Sequence, residues 1–259
     1  MKDMCTDLNN EYEALDAIVS PFNEGQWNLI TPFIGWSIKT EIAHIAYFDG
    51  TARLAATDAE AFSRHVAEVF QSEETYYESQ KDIRSWSPSK LLGYWREERK
   101  ALVEALERMG PKDRLPWYGP TMSARSFATA RIMETWAHGQ DIVDTLGIER
   151  APTDRLRHVA HLGVQTFGWS HANRGLEVPT VPFKVELSSP SGEIWTWGPD
   201  DAAQSVTGTA EDFCLVVVQR RHVEDTNLQV EGDIVRNWML IAQAFAGPPA
   251  VGPKPGERA

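Results

Sequence analysis

Apolar residues recur at spacings of three and four through the first half of the chain, and Gly or Pro falls mainly where that rhythm breaks, so this half reads as helices. Leu8, Tyr12, Leu15 and Val19 trace one face of a first helix, which stops before Pro21. A second opens at Trp36-Ser37, with Ser37 as its cap and Ile38, Ile42, Ile45 and Asp49 along one line, and runs to about residue 56. A charge-rich helical stretch covers 59–80. Ser87-Pro88 is a cap followed by proline at the first helical position; it leads into Leu91, Trp95, Leu102 and Leu106 before Gly110-Pro111 ends the run. Past a loop at 115–121, a long helix spans about 123–146 and closes on Gly147. Helices connected in this way predict an antiparallel four-helix bundle.

Beyond residue 150 the rhythm changes. A helix near 153–173 is followed by Val178-Pro179-Thr180-Val181-Pro182 and then by runs with period two. Residues 183–187 and 193–197 read as strands joined by the turn Ser189-Pro190-Ser191-Gly192; 204–208 and 227–231 are further strands, with a helix at 210–220 between them. A last helix at about 234–246 ends at Gly247-Pro248-Pro249. The predicted organisation is a helical bundle over 1–150, a connecting helix over 151–177, a small α+β domain over 178–248 and a disordered tail over 249–259.

Composition narrows the function classes. With 259 residues and 42% hydrophobic content the chain has material for one large or two modest cores, and it is neither fibrous nor a disulfide-stapled miniature. Its longest apolar run, around 213–218, falls far short of the roughly 20 residues a membrane helix needs. A net charge of −12 offers no broad attraction to phosphate backbones or anionic lipid, so neither nucleic acid nor a membrane is an expected partner. The start of the chain lacks a basic-then-apolar leader and the two cysteines, Cys5 and Cys214, form no framework, so a reducing cytoplasm is the expected location.

The segment richest in chemistry is Arg131-Ile132-Met133-Glu134-Thr135-Trp136-Ala137-His138-Gly139-Gln140-Asp141. On a helix Glu134 and His138 stack one turn apart and Asp141 follows on the same side, so a carboxylate and an imidazole can share a divalent metal. His44, on the second helix, is a candidate third ligand. Two histidines and one carboxylate leave a position open, which is the arrangement of a catalytic rather than a structural zinc site; nickel, iron or cobalt tolerate the same donors. Asp141 is then a candidate to orient an imidazole through its other nitrogen. The competing reading is that these residues face water, because the clearest apolar arc of this helix, Ile132, Trp136, Val143 and Leu146, points nearly opposite. A bundle helix buried on more than one side would remove that objection.

Arg220 and Arg221, after the apolar run ending at Val218, place positive charge at a helix C-terminus, where they compensate the helix dipole or clamp a carboxylate. His158 and His161 have no carboxylate in register and read as ordinary histidines. Trp195 and Trp197 face one side of their strand and read as core. Neither cysteine lies in a motif, so no nucleophile of the protein's own is evident.

With those residues in view, the chain resembles the DinB-like superfamily of metal-dependent bundles, and within it the mycothiol-dependent maleylpyruvate isomerase group. Trp36-Ser37-Ile38-Lys39-Thr40-Glu41-Ile42-Ala43-His44 is similar to that group's first ligand segment, and 131–144 to its Glu-x-x-x-His segment with a trailing aspartate. The stretch from Val206-Thr207-Gly208 through Arg220-Arg221 to Val230-Glu231-Gly232-Asp233 and Trp238 resembles its small C-terminal domain. The resemblance implies an α+β chain: a DinB-like antiparallel four-helix bundle followed by a small, sterol-carrier-like α+β domain. It implies zinc, or another divalent transition metal, on His44, Glu134 and His138. It also implies a low-molecular-weight thiol such as mycothiol, with a small carboxylate or electrophile as substrate. The reaction would be cis–trans isomerisation of an unsaturated diacid of the maleylpyruvate kind, or thiol S-transfer. Arg221 or Arg220 is the candidate group for stabilising an enolate or binding carboxylates, with Arg236 a further possibility. The run 212–222 departs from the general family pattern and points to a separate branch. A non-catalytic metal- or small-ligand-binding protein is the alternative, and a homodimer is the assembly to test for.

Overall fold

The computed structural model describes residues 1–258, residue 73 by its backbone alone. The chain divides into two compact units, Met1–Ile148 and a second from Glu149 onward.

The first unit contains α1 (Lys2–Val19), α2 (Glu24–Trp27), α3 (Ile38–Thr57), α4 (Ala59–Val69), α5 (Glu73–Glu78), α6 (Lys81–Ser85) and α7 (Pro88–Glu107), a two-residue ribbon of β1 (Arg114–Leu115) and β2 (Met122–Ser123), and α8 (Ala124–Leu146). The long helices α1, α7, α3 and α8 form a closed ring of neighbours. Side-chain caps set the starts of α3, α7 and α8: Ser37 accepts from the Thr40 amide, Ser87 from Lys90 with Pro88 in the first turn, and Ser123 from Ser126. Gly147 closes α8 with φ 61°, a left-handed conformation that costs a residue without Cβ little. The predicted helix over 59–80 is instead α4 and α5, because the Ser72 hydroxyl caps a new start on Thr75. The pairings Asp49–Trp95 and Arg53–Glu98 show that α3 and α7 run the same way, since α4–α6 carry the chain back across the bundle. By contrast α1 with α7 and α3 with α8 are antiparallel, as Asp16–Arg96 with Tyr12–Arg99 and Asp49–Arg131 with Glu41–His138 show.

The core of this unit holds Leu8, Tyr12 and Leu15 of α1, Ile38, Ile42 and Ile45 of α3, Leu91, Trp95 and Leu102 of α7, and Phe127 and Ile132 of α8, all buried. Each such side chain contributes roughly 1.5–3 kcal/mol relative to exposure. Helix α8 is buried on nearly every side: Ile132, Trp136 and Val143 are buried, and so are His138 and Asp141.

The second unit contains α9 (Leu156–Gln165), α10 (Phe167–Ala172), β3 (Lys184–Ser188), β4 (Ile194–Trp197), β5 (Ser205–Thr209), α11 (Ala210–Val217), β6 (Gln229–Glu231) and α12 (Asp233–Ile241). The sheet order is β4-β3-β5-β6, with β3 antiparallel to β4, parallel to β5, and β5 antiparallel to β6. Val185, Leu187, Trp195 and Val206 are buried, alternating with more open positions as a sheet with one face on a core requires. Trp197, predicted as core, is half-buried, and its indole donates to His161 Nδ1 at 3.2 Å. Gly163 lets α9 and α11 close together, since a Cβ there would lie 2.8 Å from a Val217 methyl. The predicted single helix over 153–173 is two, α9 and α10. The predicted disordered tail is tied down instead: Gln219 donates to the Ala250 carbonyl at 3.0 Å, and the Gly256 amide reaches the Asp225 carboxylate at 2.9 Å. No helix among the described residues is long and apolar enough to cross a membrane.

Candidate metal centre

Helix α3 carries Glu41 and His44 on one side, three residues apart; α8 carries Arg131, Glu134, His138 and Asp141 at spacings of three and four, a single stripe turned towards α3. One ligand atom from each of His44, Glu134 and His138 lies within 4.8 Å of the others. Glu134 Oε2 is 3.8 Å from His44 Nε2 and 3.3 Å from His138 Nε2, and the two imidazole centroids are 4.6 Å apart. The side chains of Glu134 and His44 are 23% and 19% exposed against 5% for His138, so the approach from solvent is on the Glu134–His44 side.

The other nitrogen of His138 is held from behind. Nδ1 lies 2.7 Å from Glu41 Oε2, and Thr31 Oγ1 donates to Glu41 Oε1 at 2.5 Å. Asp141, the residue that spacing offered for an orienting role, brings Oδ2 to 3.9 Å from Nδ1, and Glu41 is the nearer carboxylate. Asp141 sits beside the ring along the same helix, whereas Glu41 meets the nitrogen head-on from across the bundle. Nδ1 thus faces the Glu41 carboxylate at 2.7 Å and Nε2 the Glu134 carboxylate at 3.3 Å, the closer contact being the one on Nδ1.

Aromatic rings wall the cluster. Trp36 stacks over His138 with centroids 6.0 Å apart and lies 5.2 Å from His44; Phe33 meets His138 edge-on at 5.3 Å, and Phe48 lies 4.7 Å from His44. In these surroundings burial outweighs the attraction of Glu134 and pushes the His44 imidazole down to about 4, so it is neutral at pH 7. Glu134 shows the opposite balance: its burial is overcome by the two histidines, and its carboxyl is held well below the usual carboxylate range. One anionic oxygen and a neutral imidazole thus meet Nε2 of His138. That donor set fits a borderline divalent cation such as zinc and leaves coordination positions over.

Behind the cluster a second set of polar groups is buried. Asp49 Oδ1 accepts from Tyr12 Oη at 2.6 Å and from Arg131 Nε at 2.8 Å, and Oδ2 from Trp95 Nε1 at 2.9 Å, one partner from each of the other long helices. Sequence reading placed Asp49 on the apolar line of its helix without assigning it a role; an acid in such a line is the signal that reveals this hub. Glu41 gave a similar signal, standing in the first turn of α3 among buried positions.

Arg220 and Arg221 belong to the second unit. Gln219 takes a left-handed φ of 60° after α11, and the Arg220 amide bonds the Leu215 carbonyl at 2.8 Å while Gln219 bonds Val216 at 3.0 Å, which is a Schellman closure. Arg220 is buried and its guanidinium donates to the Val218 carbonyl at 2.8 Å, in keeping with compensation at the helix end; Arg221 is half-buried. Arg236 donates to the Val230 carbonyl at 3.3 Å. Both cysteines are buried, and burial pushes their thiols up, away from the reactive thiolate.

Residues 8–143 match the family model described as the mycothiol maleylpyruvate isomerase N-terminal domain. The chain belongs to the mycothiol-dependent maleylpyruvate isomerase group. Within the second unit, residues 179–229 match the model for wyosine base formation, where the sequence resemblance implied a sterol-carrier-like domain; the unit itself is α+β. Two uncharacterised proteins of Mycobacterium tuberculosis, from strains CDC 1551 / Oshkosh and ATCC 25618 / H37Rv, are each 43% identical over 247 residues, covering 95% of this chain and 96% of theirs. Crystal structures of the mycothiol-dependent maleylpyruvate isomerase and of a mutant of it share the fold at 16% identity, each with TM-score 0.57; the mutant covers 84% of this chain and 88% of its own, the other 85% and 89%.

Proposed function

We propose that the protein is a metal-dependent enzyme of this group that works with a low-molecular-weight thiol, mycothiol or a relative, either as a cis–trans isomerase of an unsaturated diacid or as a thiol S-transferase. Zinc is the metal proposed for His44, Glu134 and His138. The observation that carries the reading is the convergence of two imidazole nitrogens and one carboxylate oxygen within 4.8 Å, on the side of α8 that opens towards solvent. A divalent cation held there would lower the pKa of an incoming thiol and keep it as thiolate at neutral pH. The residues of this chain do the rest. Glu134 supplies the anionic donor, His44 enters the set as a neutral base, Glu41 holds His138 in its ligating tautomer, and Phe33, Trp36 and Phe48 keep water from competing for the site. Buried cysteines with raised thiols support a nucleophile that comes from outside the chain. Arg221 or Arg220 is the proposed carboxylate-binding group, since guanidinium matches carboxylate in a bidentate fork.

Metal content of protein purified without chelator tests the first step. One equivalent of a divalent transition metal is expected, falling to background in His138→Ala; full retention in that variant overturns the site. Thiol consumption with an unsaturated diacid or another electrophile then separates an enzyme from a binding protein, because activation by the loaded protein is expected with at least one low-molecular-weight thiol. In that assay Arg221→Met is expected to raise KM for a diacid roughly tenfold with kcat little changed, the loss of about 1.4 kcal/mol of uniform binding.

A further inference from the structure

The loop before α3 is a small closed hairpin. The Thr31 amide bonds the Trp36 carbonyl at 2.7 Å, the Ile38 amide bonds Leu29 at 3.0 Å, and Ile30 and Ser37 form an isolated bridge. At its tip Ile34 has φ 43°, a conformation a β-branched residue rarely adopts, next to Gly35 at 76°. Leu29, Ile30 and Ile34 are exposed, so packing of those side chains is not what holds the loop in place. Its inward-turned residues are Phe33 and Trp36, on the His138 ring, and Thr31, which is buried with its hydroxyl on Glu41.

We propose that Thr31 and Glu41 are positioning residues that lock the His138 ring and tautomer and tie the aromatic loop to the candidate metal centre. The inference rests on the metal reading above and deepens it. The chain of contacts is continuous and buried: Thr31 Oγ1 to Glu41 Oε1 at 2.5 Å, and Glu41 Oε2 to His138 Nδ1 at 2.7 Å, with Glu41 fully enclosed. Each oxygen of Glu41 has one partner, so the carboxylate cannot rotate without losing a charge-assisted bond on one side or the other. Carboxylates placed behind a ligating imidazole fix its ring and raise its basicity, and their loss typically costs 10–100-fold in metal affinity. Thr31 adds a function that Glu41 alone lacks: it makes the loop conformation and the ligand orientation one event.

The test uses the full chain, with Co²⁺ as the probe. Co²⁺ affinity is measured by chelator competition with its visible absorption as a geometric signature, and the ring nitrogens of His138 are read by ¹⁵N NMR in metal-free protein. The expected results are an Nδ1-protonated His138 in the wild type, a weakening of Co²⁺ binding by roughly 10–100-fold with an altered absorption band in Glu41→Ala, and an intermediate loss in Glu41→Gln. Thr31→Val is expected to weaken binding severalfold, and Thr31→Ser to restore it. Should Glu41→Ala not fold, Glu41→Gln carries the test. Wild-type affinity, absorption and ring-nitrogen signals in folded Glu41 variants overturn the proposal. Absence of Co²⁺ binding in the wild type overturns the metal reading instead, and the metal-free NMR comparison then decides the relay by itself: signals displaced in the Glu41 variants support it, and unchanged signals overturn it.

Discussion

Two polar clusters lie inside the same helical unit, joined by α3 and α8, and they are built on opposite plans. Around Asp49 every contact pairs a donor with an acceptor: Tyr12, Trp95 and Arg131 all donate to one carboxylate, and the charges of Asp49 and Arg131 cancel. Around Glu134 the contacts are looser, with His44 and His138 bringing ring nitrogens that can ligate a metal to one carboxylate oxygen at 3.8 and 3.3 Å. A closed network of the first kind rigidifies a core, because breaking any member strands a buried polar group. A convergent set of the second kind asks for a cation. The difference is why one cluster is read as structural and the other as chemical, although both draw on α3 and α8.

The largest expected effect comes from breaking the closed cluster. Asp49→Ala leaves the buried Arg131 charge and two further donors without their acceptor, and a loss of about 3–5 kcal/mol in unfolding free energy is expected by urea denaturation. His44→Ala is the mirror case, with metal binding expected to be abolished and a much smaller stability change, because His44 meets Glu134 only at 3.8 Å. If the two variants were to lose stability equally, the contrast between the clusters would be gone.

A second, smaller effect concerns pH. In metal-free protein burial holds the His44 imidazole near 4, below its ordinary 6.5, so the unfolded chain takes up the proton first. Stability is therefore expected to fall as pH drops from about 6.5 towards 4, with Glu134, held below the usual carboxylate range, adding a further loss under more acid conditions. Scanning calorimetry of the metal-free protein across that window is expected to show a steeper decline in Tm for the wild type than for His44→Phe. Identical slopes would mean that His44 does not titrate as a buried neutral base.

The smallest effect marks the edge of the comparison. Asp16 is also fully partnered, by Arg96 at 2.5 Å and Arg99 at 2.6 Å, but the Arg96 side chain is 47% exposed. Arg96→Ala is expected to cost only about 0.2–1 kcal/mol, because solvent screens the pair and hydrates what is left. A loss as large as that of Asp49→Ala would show that hydrogen-bond count rather than burial sets the contribution.

Much of this architecture was legible in the chain itself. The periodic placement of Leu8, Tyr12, Leu15 and Val19, the Ser37 and Ser87 caps and the Gly147 stop are interactions within a turn or two of backbone, so a linear reading finds them. The residue types of the candidate site were legible for the same reason, since Glu134 and His138 sit one helical turn apart. The contact of Glu41 was not: the interval from Glu41 to His138 spans 97 residues, whereas Asp141 lies one turn along the same helix.

The same division explains the helical wheel. Sequence alone determined where α3 and α7 begin, where α8 ends and which side chains share a stripe, because those follow from local caps, backbone hydrogen bonds and a 3.6-residue repeat. It did not determine that the stripe opposite Ile132 and Trp136 lies inside the bundle, because a helix with neighbours on two sides is buried on both, and only packing settles which neighbours it has. Whether Glu134, His138 and Asp141 face water or each other's partners was decided when α3 came to lie against α8.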